Sequence, residues 1–185
     1  MSPEEEALAR VVGLLRSHGI PFMLTGSVAA SYHGRPRATH VAHLVIDPQP
    51  DQLQTFVGAL SADNFYVDAN GAREALNRRT QFNAIETRSA SKIDLIIRKD
   101  RPFSREEFRR RMSADLGFIQ DVAIVTPEDA ILSKLEWARQ STDSERQLSD
   151  VRGILSLNAA VDRPYIDRWA HELGVLDLWR RVSGE

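Results

Sequence analysis

The sequence predicts an α/β (α+β) fold, in which a mixed sheet is flanked by helices and followed by a C-terminal helical region. Up to about residue 125, short apolar runs of strand length alternate with amphipathic helical patterns, which is typical of a sheet covered by helices. Beyond residue 125 the pattern is helical only. We therefore expect an α/β core over residues 1–125 and a helical region packed on it over residues 126–185.

The composition is that of an ordinary globular protein. Of the 185 residues, 42% are hydrophobic and 27% are charged, and a chain of this length buries roughly 70% of its unfolded surface without disulfides. The net charge of −2 argues against wholesale binding to nucleic acid or membranes. The absence of cysteine excludes thiolate metal sites. With no signal-peptide pattern and no run near the roughly 20 apolar residues of a membrane span, we expect a cytoplasmic protein.

Each element of the first half is predicted from hydrophobic periodicity and from the residues that bound it. The first helix carries an apolar stripe that includes Leu8, Val11 and Leu15, and Gly19 ends it. Strands are assigned where a short apolar run is bounded by turn-forming residues. In chain order, the predicted elements are a helix over 3–18, a strand over 21–26, a helix over 27–33, a strand over 41–47, a helix over 51–63, strands over 64–68, 81–87 and 92–97, and a short helix or turn over 71–79.

The second half is predicted from helix start signals. A capping box, with Ser104 as the cap and Glu107 three residues later, predicts a helix over 104–112. Thr126 followed by Pro127 is a typical helix start. The remaining predicted elements are a last strand over 118–125 and helices over 126–140, 144–158, 165–174 and 175–182.

Gly26 and Ser27 lie at a strand-to-helix junction. A glycine there lets the backbone approach a ligand closely, and the start of the helix offers N–H groups to a phosphate. Capping of the helix by Thr25 or Ser27 explains the same residues without a ligand. Taken alone, the pair favours capping.

Two further features lie on predicted strands. Asp94 interrupts an apolar run two residues after Lys92, and a core aspartate is costly unless it is paired or binds a metal. A structural salt bridge and a functional role both remain open for this pair. His40 and His43 are three residues apart, so they point to opposite faces of a strand and cannot chelate one metal together.

Three charged residues lie on the predicted helices of the second half. Arg146 and Asp150 are spaced i, i+4, which indicates an ordinary ion pair on a helix surface. Lys134 lies beside Ile131 and Leu135 and fits a solvated helix edge.

The order of these features along the chain is more specific than any one of them. The segments LTGSVAASYHGRPRATHVAHLVID, KIDLII, TPEDAILSKLEWARQ and SERQLSDVRGIL together resemble the minimal nucleotidyltransferase family. The resemblance is closest to the bacterial branch that includes toxins of abortive-infection toxin–antitoxin pairs, and it covers nearly the whole chain. It implies the polymerase-beta-like nucleotidyltransferase fold.

In that family a Gly-Ser turn grips the triphosphate of an NTP. An Asp-x-Asp pair on the next strand and a third carboxylate on a neighbouring strand hold Mg²⁺ or Mn²⁺ for two-metal catalysis. The resemblance assigns Asp94 as the third carboxylate, which is both catalytic and metal-binding. The resemblance implies nucleotide or phosphate binding at Gly26, Ser27, Arg37, Thr39, Lys92, Lys134, Arg146 and Asp150.

The departure from the family lies at the metal-binding strand. Val41 and His43 occupy the Asp-x-Asp positions, and Gln147 replaces the usual second acid of the last motif. Valine cannot bind a metal, so Val41 marks a lost ligand position. His43 remains as a degenerate metal ligand, because histidine can bind zinc or manganese but is a poor ligand for Mg²⁺. Asp47 lies too far along the strand to substitute in place.

We therefore expect a degenerate or inactivated nucleotidyltransferase-fold protein that retains NTP or phosphate binding. A naturally degenerate member and an inactivated variant of an active parent both fit the sequence. The alternative is an active enzyme that transfers NMP to a hydroxyl of tRNA, a protein or a small molecule. Such an enzyme would need Mg²⁺ or Mn²⁺ and, in a toxin–antitoxin setting, would have an antitoxin-like regulator as its partner.

Overall fold

A mixed sheet organises the part of the chain that the computed structural model describes, which is residues 1–36, 39–142 and 144–184. Within these ranges the sheet has seven strands in the order β3-β4-β5-β2-β1-β7-β6. At its centre β2 runs parallel to β5 and antiparallel to β1. The strands are β1 (Phe22–Thr25), β2 (Val41–Ile46), β3 (Phe65–Tyr66), β4 (Gln81–Glu86), β5 (Lys92–Ile97), β6 (Met112–Ala114) and β7 (Val122–Ile124).

Helices surround this sheet. Helices α1, α3 and α4 pack in sequence on one another, whereas α2 is covered by α6 and α7. Gly34, just after α2, lies so close to α7 that an added Cβ would be 2.8 Å from the backbone nitrogen of Ile154. In the described ranges the helices are α1 (Pro3–Ser17), α2 (Gly26–His33), α3 (Pro50–Ala62), α4 (Ala69–Arg78), α5 (Pro102–Arg110), α6 (Pro127–Gln140), α7 (Ser144–Leu157), α8 (Arg163–Glu172) and α9 (Leu176–Ser183).

The α/β prediction is confirmed by this mixed sheet with its flanking helices. Thr126 caps α6 as predicted, because its side chain accepts a hydrogen bond from the backbone N–H of Asp129. Residues 71–79, left open between helix and turn, fall in or directly after α4. No helix in the described ranges combines the length and apolar character needed to cross a bilayer.

The predicted capping box at the start of α5 is wrong. The helix begins two residues earlier, at Pro102, with Arg101 in the capping position, because proline suits the first turn of a helix. Ser104 and Glu107 are therefore inside the helix and buried. Ser104 accepts a hydrogen bond from Arg101 Nε at 2.9 Å, and Glu107 accepts one from Ser133 Oγ of α6 at 3.1 Å.

The buried position of Glu107 predicts a pH-dependent stability. Burial raises its pKa to about 8, above the roughly 4.3 of an exposed glutamate. The folded state therefore binds the proton more tightly than the unfolded state, so the free energy of unfolding falls as pH rises from about 5 to 8. Glu107→Gln should flatten this decline by up to about 1.4 kcal/mol per pH unit, measured by urea unfolding across that range.

Glu106 provides the matched control. It is the preceding residue on the same helix, and its hydrogen bond with Arg109 lowers its pKa. Glu106→Gln should leave the decline between pH 5 and 8 unchanged. Equal slopes for wild type and Glu107→Gln would show that Glu107 does not titrate in this range.

Candidate functional site

The strand pair β2–β5 places the candidate residues of the sheet side by side. Val41 lies opposite Lys92, and His43 lies opposite Asp94. Alternate residues of a strand share a face, and along β2 the half-buried residues Val41 and His43 alternate with fully buried ones. Val41 and His43 therefore lie on the same face of the sheet.

Asp94 is covered by two neighbouring side chains. Lys92 Nζ lies 3.0 Å from its Oδ1, and His43 Nε2 lies 3.4 Å from its Oδ2. Only 8% of the Asp94 side chain is exposed, so the structural salt bridge considered for Lys92 and Asp94 is present. Burial lowers the pKa of His43, and the nearby Asp94 partly opposes that effect, so the imidazole is neutral at neutral pH.

Gly26 brings the start of α2 against the His43 ring. Its φ of +69° lies in the left-handed region, which favours glycine. A Cβ at this position would lie 2.8 Å from His43 Nδ1. The neighbouring Thr25 occupies the capping position without a side-chain hydrogen bond to the helix, so the capping interpretation is wrong for Thr25.

Gly26→Ala should lower the free energy of unfolding by about 1–3 kcal/mol, because a side chain there strains the backbone and displaces His43. The measurement is the urea unfolding midpoint. Gly13→Ala is the control, since Gly13 lies inside α1 with nothing within 4 Å of an added Cβ and should gain about 0.5–1 kcal/mol. An unchanged midpoint for Gly26→Ala would contradict the requirement for glycine.

A cavity of about 160 Å³ opens beside Gly26 and His43. It lies between the start of α2, the two central strands β2 and β5, and helices α6 and α7. Among the described residues that line it there are two cations and no carboxylate. The lining consists of Thr25, Gly26, Ser27, His43, Ile96, Ala130, Ser133, Lys134, Trp137, Arg146 and Gln147.

A second cavity of about 360 Å³ adjoins the first. The two share Thr25, Ile96, Ser133 and Trp137, and we call the two adjoining cavities together the cleft. Trp137 is 54% exposed and lies on α6 one helical turn from Lys134. The sequence analysis did not single out Trp137 or Ser133, although both fall within the motif that contains Lys134.

The surface interpretation is wrong for Lys134 and Asp150. Lys134 Nζ lies 2.8 Å from Asp150 Oδ2, and only 7% and 9% of the two side chains are exposed. This pair joins α6 to α7 beside the cavity. Arg146, one turn before Asp150, is exposed and contributes to the cavity wall.

Among the described residues predicted to bind nucleotide or phosphate, three do not line this cavity: Thr39, Lys92 and Asp150. Thr39 donates a hydrogen bond to the carbonyl of Val41 at 3.1 Å and lines a different cavity of about 400 Å³, together with Lys92 and His40. Arg37 lies outside the described residues. The Thr39 assignment to the phosphate site therefore has no support from this geometry.

The residues present do not fit a divalent metal. Mg²⁺ requires several oxygen ligands, and the described residues contain no group of three or more His, Cys, Asp or Glu placed to hold a metal ion. Asp94 already contacts Lys92 and His43. Val41 and His43 supply no oxygen ligand at the two neighbouring positions.

Comparison with known proteins relates this architecture to one group of solved structures. No protein-family model matches the chain, and no curated protein sequence does. The chain is similar to an antigenic nucleotidyltransferase-like protein from Paracoccidioides brasiliensis, with a TM-score of 0.59 and 16% identity over 97% of this chain and 92% of that one.

Two further solved structures are similar in the same way. ANT(2'')-Ia in complex with adenylyl-2''-tobramycin has a TM-score of 0.62 and 13% identity over 94% of this chain and 98% of that one. A lincosamide antibiotic adenylyltransferase bound to lincomycin has a TM-score of 0.54 and 7% identity over 83% of this chain and 98% of that one. At these identities the likeness concerns the fold.

Proposed function

We propose that this chain, which has the nucleotidyltransferase fold, binds a nucleoside triphosphate in its cleft and does not perform two-metal nucleotidyl transfer. The observation that carries the proposal is the lining of the smaller cavity. It combines the start of α2 with Lys134 and Arg146, and both a helix start and cationic side chains attract phosphate. Among the described residues, the same site has no cluster of oxygen ligands of the kind that metal-dependent transfer needs.

The two adjoining cavities of the cleft support a nucleotide rather than phosphate alone. The smaller cavity holds the cationic groups, and the larger one has the volume for a nucleoside. Trp137 lies between them with an exposed aromatic ring. Stacking of a base on such a ring contributes roughly 1–3 kcal/mol.

The test is calorimetric titration with ATP, GTP, CTP and UTP, combined with an assay for pyrophosphate release in Mg²⁺ and Mn²⁺. We expect binding without pyrophosphate release. Trp137 provides an optical signal, because Trp169 and Trp179 are buried and stacking quenches mainly the exposed ring. Absence of binding by every nucleotide would contradict the proposal.

Trp137→Leu separates base binding from phosphate binding. It should weaken ATP binding by about tenfold or more while leaving tripolyphosphate binding nearly unchanged. Tyr66→Leu is the control, since Tyr66 is 64% exposed on β3 and lines neither cavity of the cleft. Equal weakening of both ligands by Trp137→Leu would contradict the stacking role.

Active transfer is the second candidate. It is favoured by the likeness to a protein in complex with adenylyl-2''-tobramycin and to a lincosamide antibiotic adenylyltransferase bound to lincomycin, and the acceptor would then be a hydroxyl of a small molecule. The same assay separates the two functions. Pyrophosphate release by the unmodified chain, abolished by Asp94→Ala, would establish transfer and overturn the proposal of binding alone.

A further inference from the structure

We infer that the cleft takes the polyphosphate of its nucleotide free of any divalent cation, so that binding does not require Mg²⁺ and is weakened by it. The inference rests on the proposed function. It identifies the ligand as an uncomplexed nucleoside triphosphate, whose charge the protein neutralises with its own side chains.

The charge of the smaller cavity is the first argument. Its described lining carries Lys134 and Arg146 and no carboxylate, and Gln147 presents a neutral amide. Lys134 is paired with Asp150 at 2.8 Å, and Asp150 is not among the described lining residues, so an entering anion shares the ammonium group with Asp150 and meets no described carboxylate on the lining. A divalent cation bridging protein and phosphate gains nothing there, because the lining offers no carboxylate oxygen to coordinate it.

The covering of Asp94 is the second argument. This aspartate lies beneath His43 and is not among the residues that line the cavity. Its charge is balanced by the ammonium group of Lys92 at 3.0 Å. The carboxylate of Asp94 is therefore paired within the protein and is not among the described lining residues of the cavity.

The same reasoning explains why Mg²⁺ should weaken binding. The ion neutralises two charges of the polyphosphate and thereby reduces its attraction to Lys134 and Arg146. Binding carried by cationic side chains favours the fully charged anion. A site built from acidic residues instead prefers the metal complex of the nucleotide. Its carboxylates repel the bare polyphosphate, and a cation must lie between the carboxylates and the phosphates.

The experiment compares ATP and tripolyphosphate, titrated calorimetrically into the full chain in EDTA and in 5 mM Mg²⁺, a concentration on the order of those that saturate ATP. We expect both ligands to bind in EDTA and the affinity to fall by about threefold or more in Mg²⁺. Gln147→Glu, a nearly isosteric change that adds one negative charge to the lining, should weaken binding in EDTA by about tenfold.

Arg146→Gln and Arg152→Gln form a matched pair on α7. Arg146 lines the cavity. Arg152 is exposed, and its Nη1 lies 3.9 Å from Oε2 of Glu145. Arg146→Gln should weaken binding in EDTA severalfold, and Arg152→Gln should leave it unchanged. Equal effects of the two variants would overturn the assignment of the phosphates to this cavity.

The outcomes separate this inference from the proposed function. Binding that requires Mg²⁺ or Mn²⁺, or that either ion tightens, would overturn the inference and leave nucleotide binding intact. Absence of ATP and tripolyphosphate binding in both buffers would overturn the two together. Stronger binding of Gln147→Glu in EDTA would overturn the electrostatic argument.

Discussion

Asp129→Ala is expected to lower the free energy of unfolding by about 3–5 kcal/mol, because Asp129 is a fully buried carboxylate that joins three helices. Its Oδ2 accepts hydrogen bonds from Thr126 Oγ1 at 2.8 Å and from Arg110 Nε at 3.1 Å, and its Oδ1 accepts one from Tyr165 Oη at 2.6 Å. Removing the carboxylate leaves the hydroxyl groups of Thr126 and Tyr165 buried without this acceptor, whereas Arg110 keeps its ion pair with Glu128. Urea unfolding monitored by circular dichroism measures the loss.

Tyr165→Phe provides a graded comparison for Asp129. It removes one of the three donors and keeps the other two, so the loss should be about 1–3 kcal/mol. Burial and the hydrogen bond to Asp129 both raise the pKa of Tyr165, which keeps the phenol protonated as a donor. A loss below about 1 kcal/mol for Asp129→Ala would show that the cluster does not hold α5, α6 and α8 together.

Lys134→Met is the second large expected effect, with a loss of about 3–5 kcal/mol in the free energy of unfolding. The change removes a buried charge partner of Asp150 and leaves the carboxylate in a site of low exposure. The double variant Lys134→Met/Asp150→Leu should recover most of the loss, because it removes both charges from the interior. The measurement is a double-mutant cycle of urea unfolding.

An exposed ion pair is the control for this cycle. On α4, Arg78 Nη2 lies 3.1 Å from Glu74 Oε1, and more than half of each side chain is exposed. Arg78→Met should change the free energy of unfolding by less than about 0.5 kcal/mol, because solvent screens such pairs. Strictly additive losses for Lys134→Met and Asp150→Leu would argue against a coupled buried pair.

Under the proposed function, Lys134 has both a structural role and a ligand-binding role. It is paired with Asp150 in the unliganded protein and also lines the phosphate cavity. A ligand phosphate would therefore compete with Asp150 for the ammonium group or share it. Loss of binding in Lys134 variants cannot distinguish the two roles, which is why the binding tests use Arg146 and Gln147.

The parts of the site that could be predicted from the sequence follow from local geometry. The period of two along a strand placed Val41 and His43 on one face. The sequence alone also shows that neither Val41 nor His43 is the aspartate that the family resemblance implies at its position. The start of α6 was predictable because Thr126 and Pro127 act on their own helix.

The errors concern residues whose partners lie far away in the chain. Ser104 and Glu107 matched a capping box, but α5 begins earlier because Pro102 occupies its first turn. Asp129 showed no signal, since its donors include Arg110 and Tyr165 from other helices. Lys134 looked like a solvated residue because its pairing with Asp150 requires α7 to pack on α6.

The sequence by itself determined the succession of strands and helices apart from β6 (Met112–Ala114), and the absence of acidic residues at Val41, His43 and Gln147, because periodicity and residue chemistry are local properties. Only the tertiary structure decided that Lys92 and His43 cover Asp94. It also decided that the cavity beside Gly26 has cations and no carboxylate in its described lining. Burial and charge balance depend on which distant segments pack together, and the pattern of one segment does not contain that information.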